Sequence, residues 1–66
     1  MTRDDLLGLG WISPMDVHNT YPRISVGEAR KMFKIIRKEI VDGGGYLPYG
    51  TKLIVPAKRF LKRYDL

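Results

Sequence analysis

Sixty-six residues with no cysteine and one histidine, His18, exclude a disulfide framework, the usual zinc sites and a Cys–His nucleophile. The net charge of +5 is unevenly placed, with −2 over residues 1–29 and +7 over residues 30–66, and such segregation suggests a polyanionic partner, most commonly nucleic acid. No apolar run approaches the ~20 residues of a membrane span and Met1-Thr2-Arg3-Asp4-Asp5 is no signal-peptide start, so the expectation is one small cytoplasmic domain over residues 1–66, without a membrane or cofactor and with little room for an enclosed active site.

Thr2-Arg3-Asp4-Asp5 followed by Leu6, Leu7 and Leu9 predicts a short N-capped helix with Thr2 as cap and acids in its first turn, ended by Gly8 and Gly10. Asp4 and Asp5 are adjacent and diverge on a helix, which fits capping better than catalysis. Ser13-Pro14-Met15-Asp16 repeats the start signal, with Pro at the first helical position, and predicts a second short helix from Pro14 to about Thr20, broken by Tyr21-Pro22. Trp11, before Ile12, reads as a core anchor between these helices rather than a base-stacking platform. His18 has no second titratable partner in the sequence and reads as a surface or cap histidine rather than a catalytic one.

Ser25-Val26-Gly27-Glu28 reads as a capping box opening the longest periodic segment, Val26 to about Val41. At ~100° per residue from Ala29, the residues Met32, Phe33, Ile36 and Ile40 fall within roughly 60° of it, with Ile35 at the margin. Arg30, Lys31, Lys34, Arg37 and Lys38 occupy the arc from about 80° to 200°, and Glu28 and Glu39 lie on the opposite flank. A solvated helix usually mixes signs because i,i+4 Glu–Lys pairs stabilise it, so a one-sided basic stripe gives up stability that an anionic partner would restore.

Gly43-Gly44 predict the helix stop. Gly45-Tyr46-Leu47-Pro48-Tyr49-Gly50-Thr51-Lys52 has the glycine spacing of a phosphate-binding P-loop, but Thr51 and Lys52 stand in swapped order. A P-loop must follow a strand and open a helix, whereas this segment follows a helix and leads into Leu53-Ile54-Val55, which reads as strand. A hairpin fits better: Leu47-Pro48-Tyr49-Gly50 suits a type I turn, with Gly45 to Leu47 pairing with Thr51 to Val55. Tyr49 at the tip is then the aromatic placed for backbone contact, and Tyr46 packs. Pro56 starts the last helix, which runs to about Tyr64, with Phe60, Leu61 and Tyr64 facing inward and Lys58, Arg59, Lys62 and Arg63 wet.

Short helices, a long basic helix, a hairpin with the polar tip Tyr49-Gly50-Thr51-Lys52 and a closing basic helix give an α+β chain in the order of a winged helix-turn-helix. In that architecture the helix enters the major groove of double-stranded DNA and the wing reaches the adjacent backbone or minor groove, so the expected contacts are Arg30, Lys31, Lys34, Arg37, Lys38, Tyr49, Thr51, Lys52, Lys58 and Arg59. RNA is the second nucleic-acid reading, weakened because seven aromatics are scattered with no stacking platform. A small phage-type protein complementing an acidic protein surface is the other class. The lack of an apolar heptad or spare apolar strand predicts a monomer in free solution.

Ser25-Val26-Gly27-Glu28-Ala29 leading into Ile35-Ile36-Arg37, then the glycines, then Leu53-Ile54-Val55-Pro56 before a short helix, resembles the small excisionase and excisionase-like proteins of phages and integrative elements. The resemblance covers about residues 25–64 and uses common residue types. It implies a helix-turn-helix with a hairpin wing and an architectural role: binding repeated attachment-site sequences, cooperatively through neighbouring copies on DNA, bending them and steering an integrase or other recombinase toward excision, with transcription regulation as a companion role. The family often places a short helix and a turn between its S-x-x-E-A motif and the recognition helix. Here one uninterrupted helix carries both, which leaves Asp4 to Leu9 and Pro14 to Thr20 as supporting helices.

Overall fold

The computed structural model describes residues 1–45, 47 and 52–66. Among the described residues, four helices and one two-stranded antiparallel sheet make a small α+β unit in the order α1 (Arg3–Leu9), β1 (Trp11–Ile12), α2 (Pro14–Thr20), α3 (Val26–Asp42), β2 (Val55–Pro56) and α4 (Ala57–Arg63). None of these helices is long and apolar enough to cross a membrane.

Caps set the helix starts. The Thr2 hydroxyl accepts from the Asp5 N–H at 3.2 Å while the Asp5 carboxylate accepts from the Thr2 N–H at 3.1 Å, and Ser13 and Asp16 repeat the exchange for α2. The backbone and hydroxyl donors of Thr2 hold the Asp5 carboxyl below its ordinary pKa. At α3 the box is half built: Ser25 Oγ accepts from the Glu28 N–H at 3.1 Å, and the Glu28 carboxylate takes the Ser25 hydroxyl rather than a backbone donor. Gly8 does not end α1, which runs through it to Gly10 at φ 76°.

The C-terminus of α3 explains two of its three glycines. Gly44 takes φ 82°, its N–H donates to the Val41 carbonyl at 3.0 Å, and the Gly45 N–H returns to the Ile40 carbonyl at 2.8 Å, the paired bonds of a Schellman stop. A Cβ on Gly45 would stand 2.7 Å from Ile40 Cγ2 and 2.8 Å from its carbonyl oxygen, so only glycine fits there without movement.

The core joins all six elements through Leu6, Ile12, Val17, Ala29, Phe33, Ile36, Ile40, Val55, Ala57, Phe60 and Leu61. Phe33 and Phe60 meet edge to face with ring centroids 5.4 Å apart, and the Tyr64 hydroxyl donates to the Met32 carbonyl at 3.3 Å, seating α4 on one flank of α3. The inward phase expected for Ala29, Phe33, Ile36 and Ile40 is observed; Met32 is partly buried and Ile35, at the margin of the arc, is 47% exposed.

The sheet differs from the expected pairing. Val55 pairs with Ile12, and Pro56 with Trp11, whereas Leu53 and Ile54 carry no strand assignment. Gly45 and Leu47 of the expected partner segment carry no strand assignment either, the Gly45 N–H being used at the end of α3, while Tyr46 and the rest of the expected turn and tip, Pro48, Tyr49, Gly50 and Thr51, fall outside the described residues. Pro56 fits the ribbon because it stands at its last position, beyond which the Ala57 N–H donates to the Gly10 carbonyl at 2.7 Å. Ile12, not Trp11, is the anchor: Ile12 is fully buried and the indole remains 38% exposed, since neighbours on a strand face opposite sides.

Candidate nucleic-acid interface

Helix α3 carries the site, and α2 holds α3 in place. Pro14 and Val17 are buried, α2 packs more extensively against α3 than any other pair of elements does, and the connection 21–25 between them is clamped from inside. His18 Nδ1 lies 2.9 Å from the Ile24 carbonyl, and the Ile24 N–H donates to the Tyr21 carbonyl at 2.9 Å. With Nδ1 protonated, His18 therefore closes the turn, a structural role near the end of α2.

Opposite that packed face, Arg30, Lys31, Lys34 and Lys38 are all exposed. None of the four makes a hydrogen bond or ion pair among the described residues, and the acid nearest in phase, Asp42 at about 220°, lies one turn beyond Lys38 at the end of α3. Arg37 is positioned differently. It is half-buried, and its guanidinium Nη1 donates to the Ile54 carbonyl at 2.9 Å, so this expected DNA contact also ties the segment before β2 to the edge of α3.

Two residues that the charge pattern alone passes over complete the stripe. Gly27 falls at about 160° on the same wheel, among the cations, and a Cβ there would meet nothing nearer than Ser25 Oγ at 3.9 Å. The first turn of α3 thus presents bare backbone. Val41, 56% exposed, falls at about 120° beyond Lys38. Phasing glycine and valine as well as the charges would have found both.

Leu47 and Leu53, on either side of residues 48–51, are partly buried against the core, which brings both flanks of the expected wing to the body of the domain. Lys52 is exposed next to Leu53.

The structure separates Lys58 and Arg59 from the stripe. Both lie on α4, where they line an open groove with Pro56, Lys62, Arg63 and Glu39. Glu39 sits at about 280° on the α3 wheel, on the flank turned away from Arg30 and Lys34, and accepts from Arg63 Nε at 3.1 Å. Among the described residues, no cluster of three His, Asp or Glu side chains could hold a metal ion. Comparison of the chain with protein-family models, with curated proteins and with solved structures gives no match.

Proposed function

We propose that this chain is a sequence-specific double-stranded-DNA-binding protein of winged helix-turn-helix type, with α2, the connection 21–25 and α3 as the helix-turn-helix and the segment Tyr49-Gly50-Thr51-Lys52 as the tip of the expected wing. The observation that carries the reading is the unpaired stripe Arg30, Lys31, Lys34 and Lys38 running along an exposed face of α3 that begins at the bare backbone of Gly27. Four like charges in one arc repel each other, and phosphates relieve that repulsion while counterions are released. A glycine at the entering end lets the helix approach a groove without a side chain in the way. Arg30 is the base-reading candidate in place of Arg37, because a guanidinium can pair bidentately with guanine; Lys31, Lys34, Lys38 and Lys52 hold phosphates, and Val41 offers an apolar contact for a thymine methyl.

The excisionase resemblance supplies the role: an architectural protein of a phage or integrative element that binds attachment-site DNA, works beside a recombinase and regulates transcription from the same region. A non-enzymatic, monomeric protein fits that role, with assembly confined to neighbouring copies on DNA.

Footprinting on the attachment region of the host element, with anisotropy titrations at several salt levels, tests the reading. If four or five cations reach phosphates, log K against log salt should fall with a slope of roughly −4. Arg30→Ala should cost about 1–3 kcal/mol on the specific site and little on unrelated duplex, whereas Lys34→Ala should weaken both alike. Affinity indifferent to salt, or unchanged in the Arg30→Ala/Lys34→Ala double variant, would remove DNA as the partner.

A further inference from the structure

The α4 groove is a second basic surface, and its composition differs from that of the stripe. It is an open cleft of about 930 Å³ formed by the outer side of α4 and the Glu39 flank of α3. That volume is within the ~300–1,000 Å³ of ligand clefts and exceeds what a single phosphate fills. Lys58, Arg59 and Lys62 carry no hydrogen bond or ion pair among the described residues, while Arg63 is held by Glu39 at 3.1 Å and stands over the Tyr64 ring at 5.2 Å. Lys58 and Lys62 are four residues apart, as are Arg59 and Arg63, so α4 is lined with like charges at the spacing where they repel.

Two features set the chemistry of the occupant. The first is the carboxylate of Glu39 in the groove wall, which interrupts the cations and opposes a continuous line of phosphates. The second is an apolar end. Trp11 pairs with Pro56 across the ribbon, and because Ile12 and Val55 are buried on the inner face, Trp11 and Pro56 share the outer one. Trp11 does not itself line the groove, but its half-exposed indole is the cross-strand neighbour of Pro56, which does. An aromatic anchor beside arginine and lysine, interrupted by one acid, is the composition of a protein-binding surface rather than of a phosphate track.

We infer that the α4 groove binds an acidic segment of a partner protein, with carboxylates on Lys58, Arg59 and Lys62 and an apolar side chain against Trp11 and Pro56. The groove opens on the flank of α3 away from Arg30 and Lys34, so it stays accessible while the stripe is occupied. The chain would then join an anionic protein to whatever the stripe holds. The site stands on its own geometry and does not require the stripe to bind DNA.

The test uses the full chain and a synthetic peptide of aspartate and glutamate with one phenylalanine, followed by tryptophan fluorescence and amide NMR, with and without a duplex. The expected result is a saturable change at the Trp11 indole and at the amides of Lys58, Arg59 and Lys62, retained when the duplex is present. Lys58→Glu/Lys62→Glu should weaken peptide binding about tenfold or more and leave melting and duplex affinity near the parent, whereas Arg30→Ala/Lys34→Ala should leave peptide binding intact. The inference is overturned if the peptide acts as strongly on the α3 stripe as on α4, if duplex displaces it by moving the α4 signals, or if no saturation is reached at millimolar peptide. If duplex binds nowhere, the DNA reading falls and the peptide titration still decides this one.

Discussion

Arg37 and Lys34 lie three residues apart on α3, yet their surroundings assign them different work. The Lys34 ammonium is in water, whereas the Arg37 guanidinium is half-buried and bonded to the Ile54 carbonyl at 2.9 Å. A charged hydrogen bond of this kind contributes about 1.5–3 kcal/mol, and its loss also leaves a carbonyl short of a donor. Arg37→Ala should therefore lower the melting temperature by several degrees, at roughly 4–8 °C per kcal/mol for a domain this small, and Lys34→Ala should leave it nearly unchanged. Affinity for duplex should show the reverse order once corrected for the folded fraction. Thermal melts beside anisotropy titrations separate the two, and equal melting temperatures would mean that the Arg37 tie carries no stability.

Helix α3 gives up intrinsic stability at Gly27 in the way its charges do along the stripe. Because a methyl group there meets nothing closer than 3.9 Å, Gly27→Ala should stabilise the fold by roughly 0.5–1 kcal/mol through helix propensity. If that bare turn faces the duplex, the same substitution should weaken DNA binding. A rise in melting temperature with unchanged affinity would take Gly27 out of the interface. Helix limits were legible in the sequence because the signals are local: Thr2, Ser13 and Ser25 cap the starts, and Gly43-Gly44 mark the stop of α3 within a residue or two. The ribbon was not legible. Leu53-Ile54-Val55 reads as strand by residue type, but a two-residue strand finds its partner through packing, and nothing near Trp11-Ile12 announces Val55-Pro56. The same limit applies to the site. Arg37 shares the phase of the stripe, and only the tertiary fold reveals that Ile54 lies within its reach.

On the scale of the molecule, principal extents of 31 × 23 × 21 Å carry two basic surfaces on different flanks of α3, the stripe on one and the groove walled by Glu39 on the other, with the exposed Ile35 between them in phase. The sequence showed the charge imbalance but could not divide it, because Lys58 and Arg59 look like further members of one patch until α4 is placed. The ribbon has a consequence for kinetics. Pairing residues 11–12 with 55–56 closes a long loop, and that entropy must be lost before the pair returns any energy. The α2–α3 pair needs no such closure and is the natural nucleus. Ile12→Val and Val55→Ala should therefore speed unfolding while leaving the folding rate almost alone, whereas Ala29→Gly should slow folding; a chevron series measures both arms. Folding limbs that slow as much for the ribbon variants as for Ala29→Gly would place the seam in the nucleus. If the seam closes late, its few atoms at Ile12 and Val55 govern how long a folded molecule survives between openings, and a slower-unfolding variant is best sought there.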